Sequence, residues 1–223
     1  MSGSTTTRVG IPWYVHPAQD PEAWERLAAE FSGANGITDG FVVVNVHDGP
    51  GCEDDPYYAL PLSDLAARAP GLVLLGYVDL DYGRRGLSEV CEDAAAWRRR
   101  YGIDGVMLDR FPSGREPVDV TGAALRAVAR LRADGAGPVA GNPGVVPVPE
   151  VSRALDVTCV FEGTGADYLK HREELPGLPG AWHLVHSCTP DELRSARACA
   201  APSGAEYAFV TAGGLPHPWN GFG

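Results

Sequence analysis

The sequence predicts a compact (β/α)8 barrel, the α/β fold in which eight parallel strands close into a ring and alternate with helices. Eight short apolar or β-branched segments alternate with seven segments of helical spacing along the 223 residues, an order typical of a parallel sheet. Segments such as Phe41–Val44 and Leu72–Leu75 are continuously apolar, as expected of strands covered on both faces. Acidic residues end two of these segments, where barrel enzymes carry their chemistry.

Each predicted strand is a run of apolar or β-branched residues bounded by Gly, Pro or polar residues. In chain order the predicted strands are Val9–Val15, Gly40–Val46, Leu72–Val78, Gly105–Leu108, Pro138–Gly141, Val157–Phe161, Trp182–His186 and Tyr207–Thr211.

The segments between the strands have helical spacing or composition, and three of them carry local start signals. Asp20 is a candidate N-cap before a proline, Ser88 opens the third helix with Glu89 in its first turn, and Thr189 opens the seventh. In chain order the predicted helices are Pro21–Phe31, Tyr57–Ala69, Leu87–Tyr101, Thr121–Ala133, Pro149–Leu155, Ala166–Glu174 and Thr189–Cys199.

No helical segment follows Thr211, so we expect the eighth helix of the barrel to be missing. No repeat or long linker divides the chain. We therefore predict a flexible tail over residues 1–8 and a single barrel domain over residues 9–223. The tail lacks the apolar core of a secretory leader, and no segment approaches the ~20 apolar residues of a membrane helix. These features predict a cytoplasmic protein.

The charge and the cysteines exclude several classes of function. A formal net charge of −11 and an isoelectric point near 4.9 disfavour nucleic acid and membrane surfaces as partners. The five cysteines are scattered without a C-x-x-C pair, so neither a zinc site nor a disulfide framework is indicated. The sequence predicts no metal and no cofactor.

Two acidic residues stand at the downstream ends of the fourth and sixth predicted strands. Asp109 follows Gly105–Leu108, and Glu162 follows Val157–Phe161. The carboxyl ends of parallel barrel strands open at the same mouth, so we expect both side chains to face a shared pocket. The alternative is that Asp109 caps the following turn and Glu162 pairs with an arginine.

Short motifs recur at the strand ends in a defined order along nearly the whole chain. They are Ile11-Pro12-Trp13-Tyr14-Val15, Gly49-Pro50-Gly51, Gly76-Tyr77-Val78, Tyr82-Gly83-Arg84-Arg85, Asp104-Gly105-Val106-Met107-Leu108-Asp109, Asn142-Pro143-Gly144, Phe161-Glu162-Gly163, Val185-His186-Ser187 and Pro218-Trp219. Each motif is weak by itself, but together and in this order the motifs resemble the spherulin-4 family, also called spherulation-specific family 4.

The resemblance implies a barrel similar to glycoside hydrolases that act on amino-sugar polysaccharides, with catalytic residues that fall on Asp109 and Glu162. Such cleavage needs two carboxyls, ~5–5.5 Å apart for retention or ~6.5–9.5 Å apart for inversion of the anomeric centre. Two positions depart from the family pattern. The family commonly has Asp-Glu where this chain has Asp109-Arg110, and Asn-Pro where it has Asn45-Val46-His47-Asp48.

Arg110 is a supporting residue of the predicted site with two alternative orientations. A guanidinium in the cleft lowers the pKa of Asp109 and offers a fork to an acidic substrate, whereas the alternation of strand residues can turn it away into a surface ion pair. Asp79 and Asp81 follow the third strand, one residue apart. We predict Asp81 as a supporting acid and Asp79 as a substrate contact; solvated loop acids are the alternative for at least one of them.

The remaining site candidates are polar or aromatic residues near the strand ends. Asn142 is predicted to hydrogen-bond in the cleft, and His186 is either a proton shuttle or a buried structural histidine. Trp13 and Trp182 are predicted to be packing residues. The predicted walls of the mouth, which suit a sugar or another ring-shaped ligand, are Tyr14, His16, Tyr77, Tyr82 and Trp219.

The leading functional hypothesis is acid/base cleavage of a glycosidic bond, with an oligosaccharide or small molecule as the binding partner. A second hypothesis is a cofactor-independent enzyme of small-molecule metabolism that uses the same acidic cleft for cyclisation, dehydration, isomerisation or hydrolysis. A third is a non-catalytic carbohydrate-binding relative. The sequence predicts no oligomeric state.

Overall fold

The structure is a computed structural model that describes residues 7–32 and 39–219. Its strands form a closed, all-parallel barrel in which every strand pairs with its neighbours in sequence and the eighth pairs with the first. The strands are β1 Arg8–Trp13, β2 Gly40–Val44, β3 Leu72–Asp79, β4 Gly105–Asp109, β5 Val139–Gly141, β6 Val157–Thr164, β7 Ala181–His186 and β8 Tyr207–Val210. The predicted (β/α)8 barrel is therefore confirmed.

Seven helices surround the barrel within the described residues. They are α1 Pro21–Phe31, α2 Ala59–Arg68, α3 Leu87–Tyr101, α4 Val118–Ala133, α5 Pro149–Ala154, α6 Gly165–His171 and α7 Pro190–Cys199, with short 3₁₀ turns at Asp81–Gly83 and Arg172–Glu174.

Most differences from the predicted elements concern their ends. β1 begins at Arg8, so the tail predicted over residues 1–8 lies outside the described residues except for its last two positions. β6 extends to Thr164 and shifts register against β7 between Cys159 and Phe161. Between β8 and residue 219 the chain forms no helix, as predicted.

The helix starts show which local signals are used. The Asp20 side chain accepts the Ala23 N–H at 2.9 Å, and Thr189 forms a capping box with Glu192. The third helix differs from its prediction. Glu89 accepts the backbone N–H of Gly86, so α3 opens before Ser88, whose hydroxyl instead bonds to Glu92 within the helix.

Two glycines let large rings approach the strands and thereby shape the barrel. A Cβ on Gly76 would lie 2.4 Å from the Trp97 ring, and the bare backbone there allows Trp97 to donate to the Tyr77 carbonyl at 2.8 Å. Inside the barrel, Gly10 similarly leaves room for the Phe41 ring. The indole N–H of Trp182 donates to the Gly10 carbonyl, and the Trp182 side chain is fully buried.

A buried histidine lies behind β7, outside the barrel interior. His183 is fully buried, and its Nδ1 lies 2.9 Å from the Tyr168 hydroxyl of α6. Its Nε2 has no hydrogen-bond partner among the described residues. Burial lowers the pKa of His183 from its ordinary 6.5 to about 4, because the charged ring would lose its hydration.

Among residues 7–32 and 39–219, no helix is both long and apolar enough to cross a membrane.

His183 makes the fold less stable in acid. Above about pH 6.5 the His183 ring is neutral in both the folded and the unfolded chain. Between about pH 6.5 and pH 4 the unfolded chain binds a proton at His183, whereas the folded chain does not. We therefore expect the free energy of unfolding to fall by roughly 3 kcal/mol across this window through His183. Denaturant unfolding at several pH values should show a shallower pH dependence for His183→Leu than for the wild type. The exposed His47→Gln should follow the wild type, and a His183→Leu curve parallel to the wild type would contradict the prediction.

Candidate active site

The two predicted acids line one cavity at the C-terminal mouth of the barrel. This cavity, here called the inner chamber, has a volume of about 290 Å³. Asp109 enters it from the end of β4 and Glu162 from β6, and both residues are half-buried. The inner chamber is lined by Pro12, Tyr14, Tyr82, Met107, Asp109, Arg110, Asn142, Pro143, Gly144, Glu162, Trp182, Leu184 and Trp219.

The Asn142 side chain bridges the two acids. Its Nδ2 donates to Asp109 Oδ1 at 3.0 Å and to Glu162 Oε2 at 2.6 Å. Its Oδ1 accepts the backbone N–H of Gly144 at 2.9 Å, which fixes the orientation of the amide. Because both carboxylate oxygens share one nitrogen, their separation cannot exceed the sum of those two donor distances. The structure thus brings together three predicted site residues.

Two tyrosines complete the surroundings of Asp109. The Tyr77 hydroxyl donates to Asp109 Oδ2 at 2.8 Å, and Tyr14 packs edge-on against the Tyr77 ring with 5.7 Å between centroids. Burial, together with the neighbouring negative charge of Asp109, raises the pKa of Tyr77, so the hydroxyl keeps its proton and acts as a donor. Tyr77, predicted as a wall of the mouth, does not line the inner chamber and contacts it through Asp109.

Both carboxyls have raised pKa values, for partly different reasons. Burial raises the pKa of Asp109, while hydrogen bonds from Tyr77, the Arg110 backbone and Asn142 oppose the shift. Burial also raises the pKa of Glu162, opposed by Asn142 and reinforced by the charge of Asp109. Desolvation and like charge are the conditions under which a carboxyl keeps a proton for acid catalysis.

Arg110 follows β4 with a left-handed backbone, φ 50°, and its guanidinium turns toward the end of β3. It forms a two-pronged contact with Asp79 and a 3.0 Å ion pair with Asp81. Although burial raises the pKa of Asp79, the Arg110 contact and the Asp81 N–H lower it overall. Asp81, predicted as a supporting acid, and Asp79, predicted as a substrate contact, do not line the inner chamber; both hold Arg110 at its rim.

The structure does not bring either predicted histidine into the inner chamber. His16 turns away to Asp55, with 2.9 Å between Nε2 and Oδ2. His186 is buried, contacts the Ser187 hydroxyl, and packs edge-on against Trp219. Burial lowers its pKa. His186 lines neither this chamber nor the loop cavity beside it, as the structural alternative predicts.

Some lining residues were missed from the sequence. Met107, Trp182 and Leu184 face the inner chamber, and their alternation with outward residues on β4 and β7 was the available signal. A second cavity of about 540 Å³ adjoins the first, here called the outer chamber. It is lined by Tyr14, Val15, Gln19, Asp20, Glu162 and residues 215–219, several of which lie on loops without a strand pattern.

The arrangement can hold a proton on one carboxyl beside a second carboxyl, with aromatic walls around both. Within the described ranges, no group of three or more His, Cys, Asp or Glu side chains is placed to hold a metal ion. The carboxyl pair itself can supply acid/base or nucleophilic chemistry.

Comparison with known structures places this barrel beside a sugar-bound relative. The chain is similar to Sph3 of Aspergillus clavatus, whose crystal structure was determined in complex with GalNAc. The two chains share 28% identity over 99% of this chain and 94% of that chain, with a TM-score of 0.82. The C-terminal domain of a putative chitinase from Desulfitobacterium hafniense DCB-2 shows 13% identity over 70% of this chain and 54% of that chain, with a TM-score of 0.49. This second likeness is too low to carry an argument.

No curated protein matches the chain. The sequence model of the spherulation-specific family 4 matches residues 8–223. The family motifs at the strand ends, the closed parallel barrel and the similarity to Sph3 agree with this match. The chain therefore belongs to the spherulation-specific family 4.

Proposed function

We propose that this protein is a glycoside hydrolase that cleaves an oligosaccharide containing amino sugars, with Asp109 and Glu162 as its reacting carboxyls. The observation that carries the proposal is the single Asn142 amide that donates to both carboxyls at the mouth of the barrel. Membership of the family and similarity to Sph3, which was crystallised with GalNAc, support a carbohydrate-related role. A close carboxyl pair is what glycoside cleavage requires.

The hydrogen bonds support different roles for the two carboxyls. Asp109 accepts side-chain hydrogen bonds on both oxygens, from Tyr77 and Asn142, and such donors favour the ionised form. Glu162 accepts one side-chain hydrogen bond, from Asn142. Glu162 is thus the proton donor to the leaving oxygen, and Asp109 is the carboxylate that meets the anomeric carbon.

The distance between the carboxyls supports a retaining mechanism. The two oxygens bound to Asn142 are closer than the ~6.5–9.5 Å needed to admit a water between inverting carboxyls. Asp109 then forms a covalent bond to the anomeric carbon while Glu162 protonates the departing oxygen. In the second step Glu162 takes a proton from water, the water oxygen bonds to the anomeric carbon, and the bond to Asp109 breaks.

An Arg110 guanidinium free in the cleft would favour an acidic substrate, but this guanidinium is already paired with two carboxylates. It faces Asp79 and Asp81, so one positive charge meets two negative ones.

Incubation with oligomers of N-acetylgalactosamine, followed by mass spectrometry, tests the proposal directly. Shortened oligomers are expected; oligomers that bind and remain intact would indicate the non-catalytic alternative, and the absence of binding would favour an enzyme of small-molecule metabolism.

The first product should retain the anomeric configuration of the substrate, because the carboxyls are too close for a direct attack by water. Proton NMR of the anomeric signals during the first minutes of hydrolysis, before mutarotation, measures this outcome. A first product of opposite configuration would contradict the spacing argument.

Substitution of the two carboxyls should separate their roles. Glu162→Gln should lower kcat/KM on an oligosaccharide by about 10²–10⁴-fold but have a much smaller effect on kcat/KM for a dinitrophenyl glycoside, whose leaving group needs no proton in the first step. Asp109→Asn should inactivate the enzyme toward both substrates. Circular dichroism should show an unchanged fold. The reverse pattern would exchange the two roles, and full activity of Glu162→Gln on the oligosaccharide would eliminate the proposal.

Loss of the Tyr77 hydroxyl should change the pH profile as well as the rate. Tyr77→Phe removes a donor to the ionised form of Asp109, so the pKa of Asp109 rises further and the acidic limb of the kcat/KM profile moves up by about one pH unit. Tyr82→Phe is the matched control, since Tyr82 lines the inner chamber without bonding to Asp109. A Tyr77→Phe profile identical to that of Tyr82→Phe would show that the hydroxyl has no such effect.

A further inference from the structure

Glu162 lies on the border between the inner and outer chambers. The two chambers share Tyr14, Glu162 and Trp219, whereas Asp109 and Asn142 line the inner chamber alone. The proposed proton donor therefore faces two spaces, and the proposed nucleophile faces one of them.

This arrangement assigns a direction to a bound substrate. The proton of a glycosidase acid goes to the oxygen that links two sugars, while the nucleophile meets the anomeric carbon on one side of that oxygen. The reacting sugar must then lie beside Asp109, in the inner chamber, and the sugar that leaves must lie beyond Glu162. We propose that the outer chamber binds the leaving-group side of an oligosaccharide, an inference that rests on the proposed function.

Two polar side chains in the outer chamber are available to such a sugar. Gln19 and His217 are exposed and line the outer chamber, and the structure gives their side chains no hydrogen bond or ion pair to another described residue. Each offers both a donor and an acceptor, the pairing that suits a sugar hydroxyl or acetamido group. Asp20 differs, because its carboxylate already accepts from Ala23 and Arg26.

Part of the remaining wall of the outer chamber is apolar. Leu215, Pro216, Pro218 and Trp219 give it a surface that suits the C–H face of a sugar ring. Its volume of about 540 Å³ exceeds the 290 Å³ of the inner chamber, so it has room for more than one unit. Affinity should consequently increase with the length of the oligomer on this side.

Calorimetric titration in an Asp109→Asn background measures binding without turnover. The probes are N-acetylgalactosamine and its hexamer. Adding Gln19→Ala and His217→Ala together should weaken binding of the hexamer at least tenfold, while binding of the monosaccharide changes less than twofold. Adding His47→Ala, which removes an exposed histidine outside both chambers, should change neither affinity.

The results that would contradict this inference differ from those that would also contradict the proposed hydrolysis. Unchanged binding of the hexamer, or an equal loss for hexamer and monosaccharide, would overturn the outer chamber as the leaving-group site while leaving the proposed hydrolysis intact. Failure of the Asp109→Asn parent to bind the hexamer at all would overturn both.

Discussion

The Asn142 side chain is the constraint on which the site depends. Asp109 ends β4, Asn142 directly follows β5, and Glu162 lies near the end of β6, so the parallel register of these three consecutive strands brings an amide between two acids. The amide oxygen is bonded to the Gly144 N–H, and a flipped amide would lose all three bonds. A neutral donor at this position holds two carboxyls together without the strong pKa depression that a lysine or arginine would cause. Both carboxyls can therefore be close and still have raised pKa values.

The sequence predicted the parts of this site that follow from strand geometry. Apolar runs that end in Asp109 and Glu162 place both acids at one mouth because all parallel strands open there. The direction of Arg110 could not be predicted, since alternation applies within a strand and Arg110 lies just beyond one, with a positive φ. His16 and His186 were expected near the cleft, but Asp55 and Trp219 are distant in sequence and their contacts arise only in the folded chain. The loop residues of the outer chamber carry no periodic signal at all.

The cluster of Arg110, Asp79 and Asp81 explains how the barrel accommodates a cation where the family commonly has an acid. The Asp79 carboxylate also accepts the Asp81 N–H, and the Arg110 carbonyl accepts the Tyr82 N–H. The guanidinium and the backbone thus tie the end of β4 to the loop after β3, directly beside Asp109. Arg110 orders the rim, and its positive charge is balanced by Asp79 and Asp81. Since residue 110 is an arginine, the two carboxyls of the inner chamber are Asp109 and Glu162, which are the reacting pair under the proposed function.

The chain after β8 covers the mouth of the barrel up to Trp219, without forming an outer helix. The Gly213 carbonyl accepts the Ser187 N–H at 2.7 Å, and Gly213 itself packs so closely that a Cβ there would lie 2.4 Å from the Pro218 carbonyl oxygen. Trp219 then rests on Phe209 and His186 and borders both chambers. Asp109 and Glu162 are fixed by barrel strands, whereas much of the wall of the outer chamber belongs to this segment. A change in residues 215–218 would alter the shape of the outer chamber and leave the bonds among Asp109, Asn142 and Glu162 in place, so under the proposed function the selection of the leaving group is structurally separable from catalysis.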